Sequence, residues 1–397
     1  MIIYRIGDRM GSFYKHMKKT INDMDKVLLI LTIILFIFGL LNIVTASSRA
    51  VVLRYNTSLY NFFYKQLINL LVGSALSIII LKIPTQKYRS LGTISFIGVL
   101  GLLCYLLLYG KTHKGSINWI RLAGFTLQPS EFAKPVMIVC VSMLFEIFYK
   151  KLRSKNNNHY DMIGIIMFVG CVFPLIVFIE HDLGTAIILF TIFAVLFLAS
   201  PILKIDKFRT IVAGIIVVLL GCVILLVKNG EILSKTQLER FNFFDPCSDY
   251  ESGGYQICNG FIAINEGGLF GVGIGKSKQI SYIPESHTDS VFAIISEEYG
   301  FIRSSLIFVA YIFILGRILR LSSMASTIRG RYITLGIAVY IFLHIFVNLG
   351  GLFGIMPLTG VPLPFLSYGG SFTLSLMASL AIVQRIHIET KNQHISV

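Results

Sequence analysis

Ten apolar runs separated by polar stretches dominate the pattern of residues along this chain. Each run approaches or exceeds the roughly 20 residues that a helix needs to cross a hydrocarbon layer about 30 Å thick. The pattern predicts an all-α polytopic membrane protein of about ten transmembrane helices, with a large extracytoplasmic loop between helices 7 and 8. The predicted spans are 27–45, 67–83, 92–109, 132–149, 162–179, 184–200, 210–227, 290–316, 332–355 and 370–386, and the loop is 228–289.

Composition agrees with a chain that is embedded in a membrane. Of the 397 residues, 55% are hydrophobic and only 14% are charged, whereas soluble domains carry roughly 25% charged residues. We expect one membrane domain, 27–386, between an N-terminal segment, 1–26, and a tail, 387–397. The N-terminal segment is too charged for a signal peptide, so the first span is predicted to be retained.

The distribution of Lys and Arg predicts how the spans are oriented. Connections on the side of the N-terminus carry 22 of these residues, and connections on the other side carry 11. Because cytoplasmic connections are enriched in Lys and Arg, both ends are predicted to be cytoplasmic. The formal net charge of +15 then reflects basic flanks that contact anionic membrane lipid, and no nucleic-acid partner is expected.

Three outer connections have unusual compositions. The loop 228–289 is long and contains several aromatic residues, which favours a packed segment. Residues 110–131 include the only tryptophan, Trp119, and predict an interfacial or re-entrant piece. Residues 354–369 contain three prolines and no charge. Their non-helical backbone needs partners within the protein, so we expect them to tuck into the outer face.

The six cysteines contain no CxxC pair, which argues against a zinc or redox site. Cys247 and Cys258 share the outer loop, where thiols can oxidise. The sequence leaves open whether these two form a disulfide.

Asp289 is the strongest candidate for chemistry, because it lies at the outer start of the eighth span within SHTDSVFAIISEEYG, 286–300. A helix N-terminus offers spare amide donors and partial positive charge, which favour an ionised carboxylate. An ionised carboxylate that faces outward can act as a general base. A second interpretation remains open, in which Thr288 or Asp289 is only a helix cap.

Glu297 and Glu298 follow Asp289 in the same predicted helix, where two adjacent carboxylates cannot both face lipid. At least one is expected to meet a cation or to be protonated. Arg303 is close enough in sequence to join them. We interpret the three residues as a structural polar network.

Two further segments place ionisable residues at the outer surface. Glu131 and Lys134 are three residues apart at the start of the fourth span, which puts them on one helix face. Lys134 is expected to be a surface cation that balances Asp289 or an anionic ligand. The segment EHDLGT, 180–185, could coordinate a metal, although its spacing alone favours no metal site.

The segment GVGIGKS, 271–277, is similar to a phosphate-binding loop but fails its pattern. That motif requires a glycine five residues before the Gly-Lys-Ser/Thr unit, and Phe270 stands at this position. We interpret the segment as a turn that its glycines permit.

Several segments together resemble the SEDS proteins, the shape, elongation, division and sporulation family that includes RodA, FtsW and SpoVE. Order and spacing agree over nearly the whole chain. The departures are His181 in place of a usual Pro, Ser290 in place of a common Phe, and GSIN before Trp119. The matching segments are TASSRA (45–50), NWIRLAGFTLQPSEFAK (118–134), DLGTA (182–186), RFNFFDP (240–246), GYQ (254–256), GGLFGVGIGKS (267–277), IPESHTDSVFAIISEEYGF (283–301) and NLGGLFGIMPLTGVPLPFLSYGGS (348–371).

The resemblance implies a ten-span fold and a peptidoglycan glycosyltransferase. Family members polymerise lipid II, a disaccharide-pentapeptide on undecaprenyl diphosphate, at the outer face of the cytoplasmic membrane. They work with a class B penicillin-binding protein, a transpeptidase. The family's essential aspartate falls on Asp289, and its lysine falls on Lys134. Elongation, division and sporulation are not distinguished.

These roles lead to a hypothesis for the reaction. An α-linked donor that becomes a β-linked polymer inverts in one displacement, with Asp289 as the base. Lys134 is then expected to stabilise the leaving diphosphate, and a divalent cation, Mg²⁺ or Mn²⁺, is a further hypothesis. The competing function is a lipid II flippase. Further substrate-binding candidates are Arg240, Glu131, Arg121 and Lys276.

Overall fold

The computed structural model of the chain describes residues 19–50, 60–110, 118–122, 125–154, 160–229, 246–248, 254–284 and 286–395. Ten long helices within these ranges coincide with the ten predicted spans, and a shorter one, α8, lies in the predicted loop. The helices are α1 Lys26–Ala50, α2 Asn61–Lys82, α3 Tyr88–Tyr109, α4 Pro129–Leu152, α5 Tyr160–Ile179, α6 Leu183–Ala199, α7 Lys204–Asn229, α8 Tyr255–Gly267, α9 Val291–Met324, α10 Ile328–Leu352 and α11 Gly370–Ile395; the strands are β1 Ile120–Leu122 and β2 Phe125–Leu127.

Burial divides the long helices into a central and a peripheral set. Only 17% of the apolar stretch of α2 is buried, whereas the share is 72% in α10 and 67% in α11. Apolar helices that leave most of their surface uncovered contact lipid, while polar side chains collect between the central helices. Among the described residues, eight helices are long and apolar enough to cross a membrane, and α6 is apolar but shorter. The protein is a multi-pass membrane protein.

Both ends of the described chain lie on one face of the bundle. The backbone N–H of Asp25 donates to Gln384 Oε1 at 2.8 Å, and the Asp25 carboxylate pairs with Arg317. Lys391 pairs with Asp23 at 2.8 Å. We call this the terminal face. The opposite face carries the C-terminal end of α10 and the N-terminal end of α9, and we call it the site face.

The eighth predicted span, 290–316, is not one straight helix. Gly300 interrupts α9 with non-helical angles (φ 77°, ψ 172°), which separate the parts 291–299 and 301–324. A Cβ at Gly300 would lie 2.3 Å from the backbone N of Gly271, so only glycine allows this close approach.

The large loop is packed, as predicted, in the part that the structure describes. One face of α8 is buried, including Ile257 and Ala263. A disulfide joins Cys247 to Cys258, which resolves the pairing that the sequence left open. The turn at 271–277 is glycine-dependent, as predicted, because Gly271, Gly273 and Gly275 all have positive φ.

Two connections on the site face have the unusual compositions noted above, 110–131 and 354–369. In the described part of the first, two short strands are antiparallel and Ile120 pairs with Leu127; an interfacial or re-entrant position for this segment stays a prediction. The second, 354–369, tucks into the bundle as predicted, since Leu363 and Leu366 are fully buried. The ring of Phe365 lies 5.0 Å from that of Phe36.

Candidate active site

Asp289 lies at the site face, immediately before α9. The N-cap of that helix is Ser290, so Asp289 precedes the helix and does not occupy the cap position that the second interpretation gave it. Its side chain is half-buried. Two neutral donors contact its Oδ1 atom: Gln256 Nε2 at 3.3 Å and Thr288 Oγ1 at 3.2 Å. A half-exposed carboxylate held by neutral donors is oriented and remains open to an incoming hydroxyl.

The connection 354–369 and α10 hold the backbone of the Asp289 segment. Asn348 Nδ2 donates to the Asp289 carbonyl at 2.7 Å and to the Val361 carbonyl at 2.8 Å. Ser367 Oγ donates to the Thr288 carbonyl. A Cβ at Gly360 would stand 3.7 Å from Asp289 Oδ2. The absence of a side chain there leaves space beside the carboxylate.

Sequence reasoning missed Gln256, Asn348, Ser367 and Gly360 as parts of this site. Each lies far from Asp289 in sequence, and hydropathy gives no signal for an amide that bonds a distant carbonyl. Their only signal was membership of the GYQ and NLGG…SYGG segments, in which uncharged polar residues stand beside glycines.

Lys134 lies in the interior, not at the surface where the sequence placed it. Its side chain has 0% exposure, and its Nζ forms an ion pair with Glu131 Oε1 at 2.7 Å. A second contact joins Nζ to His344 Nε2 at 3.0 Å. The ammonium is therefore enclosed by these partners and is not exposed to solvent. The expectation that Lys134 directly contacts an anionic ligand does not match this geometry, nor does substrate binding by Glu131.

The remaining predicted cations lie in different environments. Arg121, on β1, and Lys276, in the glycine-rich turn, are both exposed. Arg240 lies outside the described residues. Of the substrate-binding residues predicted from the sequence that lie in the described part of the chain, Arg121 and Lys276 are therefore the exposed cations.

Glu297 and Glu298 form a network with backbone amides, not with a cation. Glu297 Oε1 accepts from the backbone N–H of Lys278 at 2.7 Å, and Glu298 Oε1 accepts from that of Gly275 at 2.9 Å. Arg303 is exposed, and no hydrogen bond joins it to either glutamate. The break at Gly300 redirects the helix between the glutamates and Arg303, so the predicted three-residue network is wrong in that member.

The turn 180–182 does not form a metal site. Asp182 caps α6 by accepting from the backbone N–H of Thr185, and it also accepts from Asn118 Nδ2 at 3.1 Å. His181 is exposed, whereas Glu180 is fully buried. Within the described ranges, no group of three His, Cys, Asp or Glu side chains could hold a metal ion. Burial and the charge of Asp182 raise the pKa of Glu180 to about 8.

Both the sequence and the fold match known proteins. The chain is 32% identical over 386 residues to "Probable peptidoglycan glycosyltransferase FtsW" of Bacillus subtilis (strain 168), with 94% of this chain and 93% of that protein covered. The fold is similar to RodA of Thermus thermophilus, at 22% identity and a TM-score of 0.64, over 92% of this chain and 96% of that one.

A second similar structure is described as "Structural coordination of polymerization and crosslinking by a peptidoglycan synthase complex". It has 21% identity and a TM-score of 0.67, with 92% of this chain and 98% of that chain covered. The profile of the FtsW, RodA and SpoVE family, described as "Cell cycle protein", matches residues 25–392. This chain therefore belongs to the FtsW, RodA and SpoVE family.

Proposed function

We propose that this chain is a peptidoglycan glycosyltransferase, which polymerises lipid II into glycan strands at the outer face of the cytoplasmic membrane. The FtsW relative, at 32% identity over 94% of this chain, carries that activity in its name. The observation that supports it most directly is the half-buried Asp289 carboxylate at the site face, which the side chains of Gln256 and Thr288 orient while Asn348 Nδ2 donates to the Asp289 backbone carbonyl.

Asp289 is the general base in this proposal. The attacking sugar hydroxyl must lose a proton as it displaces the lipid diphosphate, and a positioned carboxylate that accepts it contributes about 10²–10⁴ in rate. Gln256 and Thr288 orient Oδ1, while the missing side chain at Gly360 leaves room near Oδ2. One inverting displacement follows, without a covalent sugar intermediate on the protein.

The departing diphosphate gains negative charge and needs a cation. The buried Lys134 is already neutralised by Glu131, so we assign this electrostatic role to the exposed Arg121 and Lys276. Lys134 instead acts within the scaffold beneath the site. Arg240 remains a prediction from the sequence.

Orientation and partners complete the proposal. Both ends of the chain share one face, and the two-to-one bias of Lys and Arg supports a cytoplasmic location for it. The site face then opens to the outside, where lipid II presents its sugars. The similarity to a peptidoglycan synthase complex supports a class B penicillin-binding protein as the transpeptidase partner.

Reconstitution in lipid vesicles tests the function. Purified protein supplied with lipid II is expected to yield long glycan strands that a muramidase digests to disaccharide units, because the product linkage is β. The empty-vesicle control is expected to yield none. Intact lipid II after prolonged incubation with the folded chain and its transpeptidase partner would overturn the proposal.

The same vesicles separate the enzyme from the lipid II flippase that the sequence left open. A transporter moves fluorescent lipid II between leaflets without forming polymer, whereas the enzyme polymerises it within one leaflet. Polymer formation without translocation supports the proposed function, and translocation without polymer favours the flippase.

A divalent cation remains a separate prediction. The described side chains provide no ready-made cluster for a metal, so no step of the reaction is assigned to one. The polymerisation rate is measured with a chelator present and again after Mg²⁺ or Mn²⁺ is restored. The comparison shows whether the reaction requires a cation bound to the lipid diphosphate.

A further inference from the structure

The interior beneath Asp289 contains a polar chain that crosses between α4 and α10. Lys134 Nζ lies 2.7 Å from Glu131 Oε1 and 3.0 Å from His344 Nε2. The other ring nitrogen of His344, Nδ1, lies 3.2 Å from the Pro362 carbonyl. Lys134 and His344 both have 0% exposure, so water does not readily replace these contacts.

The donors and acceptors in this chain are consistent with a single arrangement. An ammonium group only donates hydrogen bonds, so His344 Nε2 must accept from Lys134. The neutral ring then carries its proton on Nδ1, which donates to the Pro362 carbonyl. His344 therefore connects a charged pair on α4 to the backbone of the 354–369 connection.

Packing fixes the ring in this orientation. The His344 ring is stacked on Phe372 at 4.7 Å with an interplanar angle of 16°. It also meets the edge of Tyr340 at 4.9 Å and 85°. A ring packed against both Phe372 and Tyr340 cannot turn away from Pro362 without disturbing the core.

The carbonyl that His344 holds is adjacent to one that supports the catalytic segment. Asn348 follows His344 by one helical turn, so the two side chains share a face of α10. Asn348 joins the Val361 carbonyl to the Asp289 carbonyl, while His344 holds the next carbonyl, Pro362. A displacement of Pro362 therefore shifts Val361 and the Asp289 backbone that shares its donor.

We propose that His344 is a positioning residue, which transmits the placement of the buried Lys134–Glu131 pair to the Asp289 carboxylate through the Pro362 and Val361 carbonyls. This role rests on the proposed function for its activity readout. The packing readout described below does not depend on that function.

Two substitutions test the two hydrogen bonds of the His344 ring separately. Asn places its amide near the Nδ1 position, so His344→Asn retains a donor for Pro362 and loses Lys134. Gln reaches the Nε2 position, so His344→Gln retains an acceptor for Lys134 and loses the donor to Pro362. A relay requires both ends, so each variant is expected to lower kcat by about tenfold or more, with KM little changed.

A double-mutant cycle distinguishes positioning from simple loss of packing. Lys134→Met is expected to lower kcat in the parent protein and to have little further effect in His344→Gln, because the connection is already broken. His387, on the terminal-face half of α11, provides the matched control, and His387→Gln is expected to leave kcat unchanged. Full kcat in both His344 variants, or additive losses in the cycle, would overturn the relay.

Hydrogen exchange supplies a readout that is independent of polymerisation. The amides of Leu363 and Tyr368 bond to Ser367 Oγ and the His287 carbonyl, and both are expected to exchange faster in the His344 variants at unchanged global melting temperature. Unchanged exchange together with unchanged kcat contradicts the relay. Faster exchange in a protein that never polymerises lipid II supports the relay and rejects the proposed function.

Discussion

At the scale of single residues, the most informative side chains are ionisable groups whose partners hydropathy does not reveal. Lys134 and Glu131 neutralise each other in the interior, whereas Asp289 remains half-exposed at the site face. Of these two carboxylates, the one with access to solvent is Asp289, and neutral side chains donate to it. Under the proposed function, this division separates the proposed base, Asp289, from the residues that support it.

The pH dependence of stability tests, at this scale, whether Glu180 is a buried and protonated acid. Its pKa is raised to about 8 from 4.5, so the folded chain keeps the proton that the unfolded chain loses above about pH 4.5. Stability is therefore expected to fall as pH rises from about 4.5 to about 8. The Glu180→Gln variant removes this dependence, and its melting temperature should exceed that of the parent most clearly near pH 9.

The control for that measurement is Glu266→Gln, because Glu266 is exposed on α8. This substitution is expected to leave the pH dependence of the melting temperature unaltered. If the difference between Glu180→Gln and the parent were the same near pH 5 and near pH 9, Glu180 would not be a buried, protonated acid.

At the scale of elements, the break at Gly300 determines the shape of the site face. It allows the part 291–299 to pack against α8, while the part 301–324 continues through the bundle. The glycine-rich turn is bonded to the helix just before the break, since the backbone N–H groups of Val272 and Gly273 donate to the carbonyls of Glu297 and Glu298 at 2.9 and 3.1 Å. The turn that carries Lys276 is therefore held in a defined position.

Gly300→Ala is predicted to destabilise the protein by more than about 2 kcal/mol, since a Cβ would clash with the backbone of Gly271 at a positive φ. Thermal unfolding in detergent measures the loss. Gly316 is the matched control, because a Cβ there meets no atom within 4 Å and Gly→Ala in a helix is neutral or stabilising by up to about 1 kcal/mol. Equal effects of the two substitutions would contradict this account of the break.

Ten helices could be predicted because each apolar run approaches or exceeds the length that crosses a bilayer, and hydropathy records that length directly. The break at Gly300 could not, since one glycine inside an apolar run carries no mark of its backbone angles. The burial of Lys134 was equally hidden, because His344 is 210 residues away in sequence. Asp289 could be singled out from the sequence as a candidate site residue, but the contacts that orient it could not.

At the scale of the whole molecule, the account depends on the two faces lying on opposite sides of the membrane. The terminal face carries ion pairs such as Lys391–Asp23 and Arg329–Glu146. The site face carries Asp289 and the disulfide-bonded part of the large loop. A disulfide is typical of an oxidising compartment, which agrees with an outward site face.

Cysteine labelling tests this orientation. In a background that keeps only Cys247 and Cys258, Lys276→Cys is predicted to react with a membrane-impermeant maleimide in intact cells. Lys391→Cys is predicted to react only after the membrane is permeabilised. The reverse pattern would place the site face in the cytoplasm and exclude an outer glycosyltransferase.

The most direct test of the central claim is the rate at which reconstituted Asp289→Asn polymerises lipid II. The substitution keeps the size of the side chain and removes the base, so the rate is predicted to fall by about 100-fold or more. Asp161→Asn, an equivalent change at an exposed position on α5, is predicted to retain the parental rate. A folded Asp289→Asn protein that polymerises as fast as the parent would contradict the assignment of Asp289 as the base.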